Sequence, residues 1–446
     1  MNREVLRIAL PNIVSNVTVP LMGIVSTAIA GRCAGADSAI MIGQLAIGVS
    51  IFNMIYWNCS FIRMGTSGLT AQAYGAGDFA ETTKMLFRSL AVSFLLGFTL
   101  LLLKEPMATG AVELMGGSAI SLEYVRARLW AVPAGILLFG FHGWFTGMQN
   151  GTYSMSIALS VNVIHMLSSY YFAIVAGYGV VGIAYGSIVA QWSGVAVATA
   201  ILLLKFSKRL VPVSLREVCD IKVILKFFSV NRDIMLRTFC IVAVYTFFTR
   251  ASAQFGDPNL LATNTLLLQL FTLYSYMTDG FAFAAEALTG RFIGAKDRAS
   301  LKLAISRCII WSLVVSVTYV VIYLIFWRDL LGVLMGSNGD IAMILSYAEQ
   351  YIWWLIVIPI FGAFPFLMDG IMVGAGYTGV MRNAMFLSTI SYFAIYFVLE
   401  PYIGNNALWL AFLMFMCLRG LLQYLMTSRL NVLYNVSFEQ SQHEAE

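Results

Sequence analysis

Charge is what this chain has least of. Asp, Glu, Lys and Arg make up 11% of its 446 residues, against about 25% in a soluble domain. That shortfall excludes a water-soluble fold of this size. Histidine is nearly absent: of three in all, His142 and His165 are internal. Six cysteines stand far apart, at 33, 59, 219, 240, 308 and 417, and no pair has metal or redox spacing. Small buried thiols of this kind act as hydrophobes. No HExxH, Walker or Rossmann glycine pattern occurs, so neither a metal nor a cofactor is expected. The net charge of +5 is not gathered into basic patches interleaved with aromatics, which argues against nucleic acid as a partner.

What the chain does have is apolar sequence in long blocks. Hydrophobic residues make up 60%, and Ile309 to Phe326 contains no charge. A crossing helix needs about 20 apolar residues. Twelve such segments can be drawn, at 8–31, 39–62, 84–103, 123–146, 155–176, 180–204, 230–254, 262–284, 303–327, 343–368, 383–400 and 405–428. The first is too broken by Pro11, Asn12, Asn16 and Pro20 for a signal peptide, and is expected to be a retained crossing helix. The expected class is an all-α integral membrane protein of twelve transmembrane helices in two pseudo-symmetric six-helix lobes. The lobes are expected at 1–204 and 230–430, with a linker at 205–229 and a polar tail at 431–446. Lys205, Lys208, Arg209, Arg216, Lys222 and Lys226 in the linker, with Lys84, Arg88, Arg291, Lys296, Arg298, Lys302 and Arg307, place one set of loops and both termini in the cytoplasm. Arg32, Lys104, Arg126, Arg128 and Arg328 fall on the opposite side.

A duplication supports the two lobes. Leu69 to Asp78 reads LTAQAYGAGD, and Leu288 to Asp297 reads LTGRFIGAKD, at an offset of 219. Arg88 falls opposite Arg307 at the same offset. More faintly, Met115-Gly116-Gly117 answers Met335-Gly336-Ser337, and Pro133 answers Pro359. Six crossings per half make the copies parallel repeats, a transporter architecture. The glycines of the two loops are expected to turn the chain between helices. Pro11, Pro20, Pro133 and Pro359 are candidate bends, although prolines are also simply common in membrane helices. Gly179-x-x-Gly182 and Gly374-x-Gly376 are candidate small-residue contact faces.

Ionisable groups in apolar segments are the candidates for chemistry, since an unpaired charge there costs several kcal/mol. Asp369 and Asp279, each flanked by glycine and apolar residues, must hold a proton or meet a cation. Glu286 lies two turns after Asp279, with Arg291 and Arg63 as possible partners. Asp233 and Arg237, spaced i,i+4, fit an ordinary ion pair. Phe52, Asn53, Tyr56 and Trp57, with Gln269, Thr272, Tyr276 and Met277, fit either helix packing or a broad cavity in which aromatic faces attract organic cations.

These residues resemble those of the multidrug and toxic compound extrusion (MATE) transporters, and most of all the DNA-damage-inducible, DinF-like branch. The likeness rests on Ala9-Leu10-Pro11, Val25-Ser26-Thr27-Ala28 with Gly31, the stretch from Arg63 to Gln72, and Gly179-Val180-Val181-Gly182. It also rests on Asp279-Gly280-Phe281-Ala282, Ala285 to Gly290, and Asp369-Gly370 before Met381-Arg382-Asn383. The resemblance implies twelve helices in two lobes forming a V, and export of amphipathic, often cationic, compounds from a bacterial inner membrane in exchange for H⁺ or Na⁺. The expected partners are then small molecules and lipids, the expected state a monomer, and no enzyme activity follows. In this family the first helix commonly carries an aspartate, and here that position is Ser26. A second aspartate, in the fifth helix, falls at Ser169. Serine offers a hydroxyl and no charge, so the resemblance leaves coupling to Asp369, Asp279 and Glu286. A lipid-linked saccharide flippase is the nearest alternative, and the lack of a basic set in the N-terminal segments counts against it. An intramembrane enzyme would need clustered acids and histidines, which the chain lacks, and the symmetric two-lobe design gives no reason for a signalling role.

Overall fold

The computed structural model describes residues 1–33, 38–214, 221–335 and 341–429. Arg216, Glu217 and Asp220 of the expected linker, Cys219, the Gly336-Ser337 pair and the tail from 430 on lie outside them. Among the described residues there are helices and no strands. They are α1 (Asn2–Cys33), α2 (Ser38–Cys59), α3 (Phe61–Gly75), α4 (Phe79–Leu102), α5 (Lys104–Leu114), α6 (Ala119–Arg128), α7 (Val132–Gly147), α8 (Gly151–Tyr170) and α9 (Gly179–Ile201). Then come α10 (Ile221–Gln254), α11 (Pro258–Gly294), α12 (Arg298–Met335), α13 (Ile341–Ala375), α14 (Thr378–Ile403) and α15 (Asn405–Arg429).

Eleven stretches among the described residues are long and apolar enough to cross a membrane. The remaining expected segment, 262–284, lies in α11, which has the length at 37 residues but not the apolarity. Asn264, Gln269, Thr272, Ser275, Thr278 and Asp279 lower it. α11 is covered by α13 and α12, and its apolar residues Leu267, Leu270, Phe271 and Tyr274 are buried in the core with Phe412 and Trp409 of α15. A helix sheltered by protein can be more polar than one facing lipid.

The chain divides into two compact units. One is Leu10–Asn231; the other joins Met1–Ala9 to the described residues from Arg232 on. The first nine residues therefore depart from the expected N-terminal lobe, and Glu4 accepts from Arg291 at 3.2 Å in the second unit. The linker is shorter than expected, because 221–229 already belongs to α10. Arg128, expected among the loop charges, closes α6 within a helical span running from Ala119 to Gly147.

The duplication is visible in backbone detail. After α3, Asp78 N donates to Ala73 O and Gly77 N to Tyr74 O; after α11, Asp297 N donates to Phe292 O and Lys296 N to Ile293 O. These are matching Schellman turns. Asp78 and Asp297 then cap the next helices, accepting from Glu81 N at 2.8 Å and Ser300 N at 3.0 Å. Hydrogen bonds from Ser300, its hydroxyl foremost, hold the Asp297 carboxyl below its ordinary range. A depressed carboxyl stabilises above the unfolded value, about 3.9, and that contribution is lost as pH falls through the folded one. The turn needs a left-handed residue. The first copy supplies Gly77 at φ 75°, the second Lys296 at φ 54°. A side chain there costs about 1–2 kcal/mol. Lys296→Gly is expected to stabilise by about 0.5–1 kcal/mol after the greater unfolded-chain entropy of glycine is subtracted, and Gly77→Lys to destabilise, both read by thermal unfolding in detergent.

Helix crossings repeat as well. A Cβ on Gly143 or Gly147 of α7 would fall on the carbonyls of Arg63 and Ser67 in α3; one on Gly370 or Gly374 of α13 would fall on those of Ala282 and Glu286 in α11. Glycine at four-residue spacing lets backbones touch. Of the contact faces expected from sequence, Gly182 packs on Ala173 and Gly374 on Glu286. Gly179 at φ 58° and Gly376 at φ 79° instead serve turns. Pro133 opens α7 behind a 3₁₀ turn at Leu129–Ala131, while Pro11 and Pro20 lie within α1 and Pro359 within α13.

Candidate functional site

The second unit holds a buried charge cluster. Asp369, 3% exposed on α13, accepts from Arg237 of α10 and Arg419 of α15. Gln423 Nε2, one turn after Arg419, donates to its other oxygen at 2.6 Å. The Arg419 guanidinium also lies 5.2 Å from the Phe366 ring centroid. Three helices are thus tied at one carboxylate. Its charge is compensated twice, so it differs from the solitary acid that its sequence neighbours suggest.

The expected Asp233–Arg237 pair does not form in that way. Each residue takes a tertiary partner: Arg237 goes to Asp369, and Asp233 accepts from Arg382 of α14 at 2.6 Å and from the Thr378 hydroxyl at 3.3 Å. The i,i+4 spacing places both on one face of α10, and packing brings better-aligned partners from α13 and α14 to that face.

Asp279 and Glu286 belong to a stripe on α11. Gln269, Thr272, Tyr276, Asp279, Phe283 and Glu286 follow at steps of three and four, which is one helical face. Residues beside the stripe, from Leu270 to Gly280, are largely buried, while the stripe itself grades from exposed at Gln269 through half-buried at Thr272, Tyr276 and Asp279 to 1% exposed at Glu286. Asp279 lies within electrostatic reach of Arg237. Arg291, one expected partner of Glu286, pairs with Glu4 instead. Met277 is half-buried beside the stripe.

In the first unit, Asn53 and Trp57 are exposed on α2. Tyr56 packs on Phe52 and Phe139, with centroids 6.3 and 6.2 Å away. Arg128 lies over Phe52 at 4.6 Å and donates to the Tyr124 hydroxyl at 2.6 Å. Ser26 is buried and donates to its own helix at Met22 O, 2.9 Å. Ser169, fully buried, stands 3.3 Å from His165 Nε2, and Ser187 of α9 stands 3.0 Å from the same nitrogen. A one-turn π-helix at Tyr171–Val175 follows, an irregularity often found at functional positions.

Arg419, Gln423 and the His165 group escape a reading that weighs acids alone. A lone arginine in the apolar span from Asn405 to Thr427 was the available signal.

The MatE family model matches residues 11–171 and 234–401, one copy in each half. The chain belongs to the MatE family. It is 30% identical to DNA damage-inducible protein F of Escherichia coli (strain K12) over 418 residues, covering 93% of this chain and 89% of that protein. It is 21% identical to the probable multidrug resistance protein NorM of Shewanella oneidensis, over 68% of this chain and 67% of that one. Its fold is that of a MOP superfamily transporter from Pyrococcus furiosus, with a TM-score of 0.86 at 18% identity, over 98% of this chain and 97% of that one. This MatE protein is therefore a membrane transporter of small molecules and not an enzyme, built on the MATE fold that its sequence suggested.

Proposed function

We propose that the chain is a cation-coupled efflux antiporter, driven by H⁺ or Na⁺, that exports amphipathic organic cations by alternating access of its two lobes. The observation that carries this reading is the polar stripe on α11. It places two carboxylates and two aromatic side chains, Tyr276 and Phe283, on one face of a helix otherwise sheltered in the core. A carboxylate in such surroundings binds a proton or a metal cation, and a cationic substrate competes for the same charge. Moving one charge through the membrane is worth about 2.3 kcal/mol per 100 mV, enough to bias the lobes.

In this reading Asp279 and Glu286 are the coupling groups. Asp369, ranked beside them by sequence, is the anchor of the lobe. Gln269, Thr272, Tyr276 and Met277 are the substrate-facing residues of the second unit, and Asn53, Tyr56 and Trp57 those of the first. The relative from Pyrococcus furiosus is described as having a binding pocket of reverse polarity that suggests a different function. The stripe of this chain is acidic, which favours cations. The flippase alternative gains no support, since Arg237 and Arg419 are taken up by Asp369. The protein is assigned to a bacterial plasma membrane as a monomer with both termini cytoplasmic.

The test is ethidium movement in proteoliposomes under an imposed proton gradient and then a sodium gradient. Accumulation against the ethidium gradient under at least one of them is expected. Movement that neither gradient accelerates sinks the proposal.

A further inference from the structure

The first unit contains a buried titratable group that the acidic stripe does not use. His165, on α8, is 4% exposed. Its Nε2 faces two hydroxyls, Ser187 Oγ at 3.0 Å and Ser169 Oγ at 3.3 Å. Both hydroxyls have somewhere else to send their protons. Ser187 donates to Ile183 O at 3.1 Å, and Ser169 is 3.5 Å from the same carbonyl. With those protons directed to Ile183, the oxygens turn lone pairs to the imidazole. Nε2 therefore carries the hydrogen. In a neutral ring the other nitrogen is then an unprotonated acceptor, and Nδ1 has no hydrogen-bond partner among the described residues.

We propose that His165 is a proton-binding site of the transport cycle, loading its proton at Nδ1 while Nε2–H stays anchored on Ser187 and Ser169. The inference rests on the coupled-antiport reading above and narrows it to protons. The reaction is a simple association: the Nδ1 lone pair takes H⁺, the ring becomes imidazolium, and the same proton leaves on the return. The surroundings suit a reversible load. Among the described residues no carboxylate is seen against the ring to fix the charged state. Arg128, from α6, is a charged group within its electrostatic reach. From α9 the ring meets Ser187, and from its own helix Ser169. α1 meets this region at two points, Asn162 of α8 donating to Thr18 and the Cys33 thiol meeting Ala173 O of the π turn at 3.5 Å. At the contact with Asn162, α1 presents a hydroxyl, Thr18, rather than a charge. Asn162, His165 and Ser169, at steps of three and four, make a continuous polar face. The π turn begins at Tyr171, two residues beyond Ser169, at a place where a helix can change its winding.

A buried histidine can also be a mere packing element, so the test needs a readout that packing would not move. In the full-length protein in lipid, ¹⁵N NMR of the imidazoles, with His142→Gln to simplify the spectrum, reports each tautomer. The expected result is an Nε2–H neutral form at high pH and conversion to imidazolium within pH 4–8. In proteoliposomes, His165→Gln is expected to lose proton-gradient-driven ethidium movement at least tenfold while downhill ethidium movement stays within twofold. Ser187→Ala, which spares the ring, should shift the pH midpoint of transport without abolishing it. An imidazole that never titrates, proton-driven transport that persists in His165→Gln, or unaltered protein driven by sodium alone overturns this inference and leaves antiport standing. Unaltered protein that neither gradient drives overturns antiport and this inference together.

Discussion

Asp369→Asn is expected to cost about 3–5 kcal/mol of stability, the usual penalty for removing one partner of a buried ion pair. The reason is what remains: Arg237 and Arg419 would face each other in the interior of the second unit with their shared counter-charge gone. Gln423 would keep an amide oxygen to donate to, so the loss is mainly electrostatic. Neutralising the whole group should behave differently. With Arg237→Met and Arg419→Met added, the three positions carry no charge and Asp279 loses only its longer-range attraction to Arg237, so most of the loss should return, because buried pairs replaced together by apolar groups are often nearly neutral. Unfolding of the purified protein in detergent measures both. Equal damage from the single and the triple change would show that the cluster acts through something other than charge balance.

The second large effect concerns transport. Asp279→Asn and Glu286→Gln remove the charges of the α11 stripe. Asp279→Asn, an isosteric change at a half-buried position, is expected to leave stability within about 1 kcal/mol. Each of the two changes is expected to lower gradient-driven ethidium movement about 5–150-fold, the span of a coupling free energy of about 1–3 kcal/mol. Downhill exchange should fall much less, since the substrate-facing Gln269, Thr272 and Tyr276 are untouched. A variant that loses stability and transport together would place the acid in the fold instead of in the coupling. Glu286 is the sharper case. Its backbone lies under Gly374 at the closest approach of α11 and α13, so its side chain starts from a fixed point.

The helices and their duplication were legible because both leave local marks. Apolar runs set helix length, and the motif ending in Asp78 and Asp297 encodes a turn and a cap in consecutive residues. Polar α11 was legible only as one segment among twelve; that it would be the sheltered helix depends on the aromatic side chains of α15. The ion pairs were not legible. Asp233 and Arg237 look like partners on a helical wheel, and only the packing of α13 and α14 gives each a better one. Asp369 looked solitary because its compensation comes from residues 132 and 50 positions away. The tautomer inferred for His165 rests on a carbonyl of α9, Ile183, which no spacing rule reveals.

Under the proposed function there is a division of labour among the three carboxylates of the second unit: Asp369 is held by Arg237 and Arg419, while Asp279 and Glu286 are assigned to cation binding. Ethidium movement driven by an ion gradient, compared between the charge-neutral triple variant (Asp369→Asn with Arg237→Met and Arg419→Met) and Asp279→Asn, tests it most directly. Gradient-driven movement retained in the triple variant and lost in Asp279→Asn is the result the account predicts. Movement lost in the triple variant and retained in Asp279→Asn would contradict it.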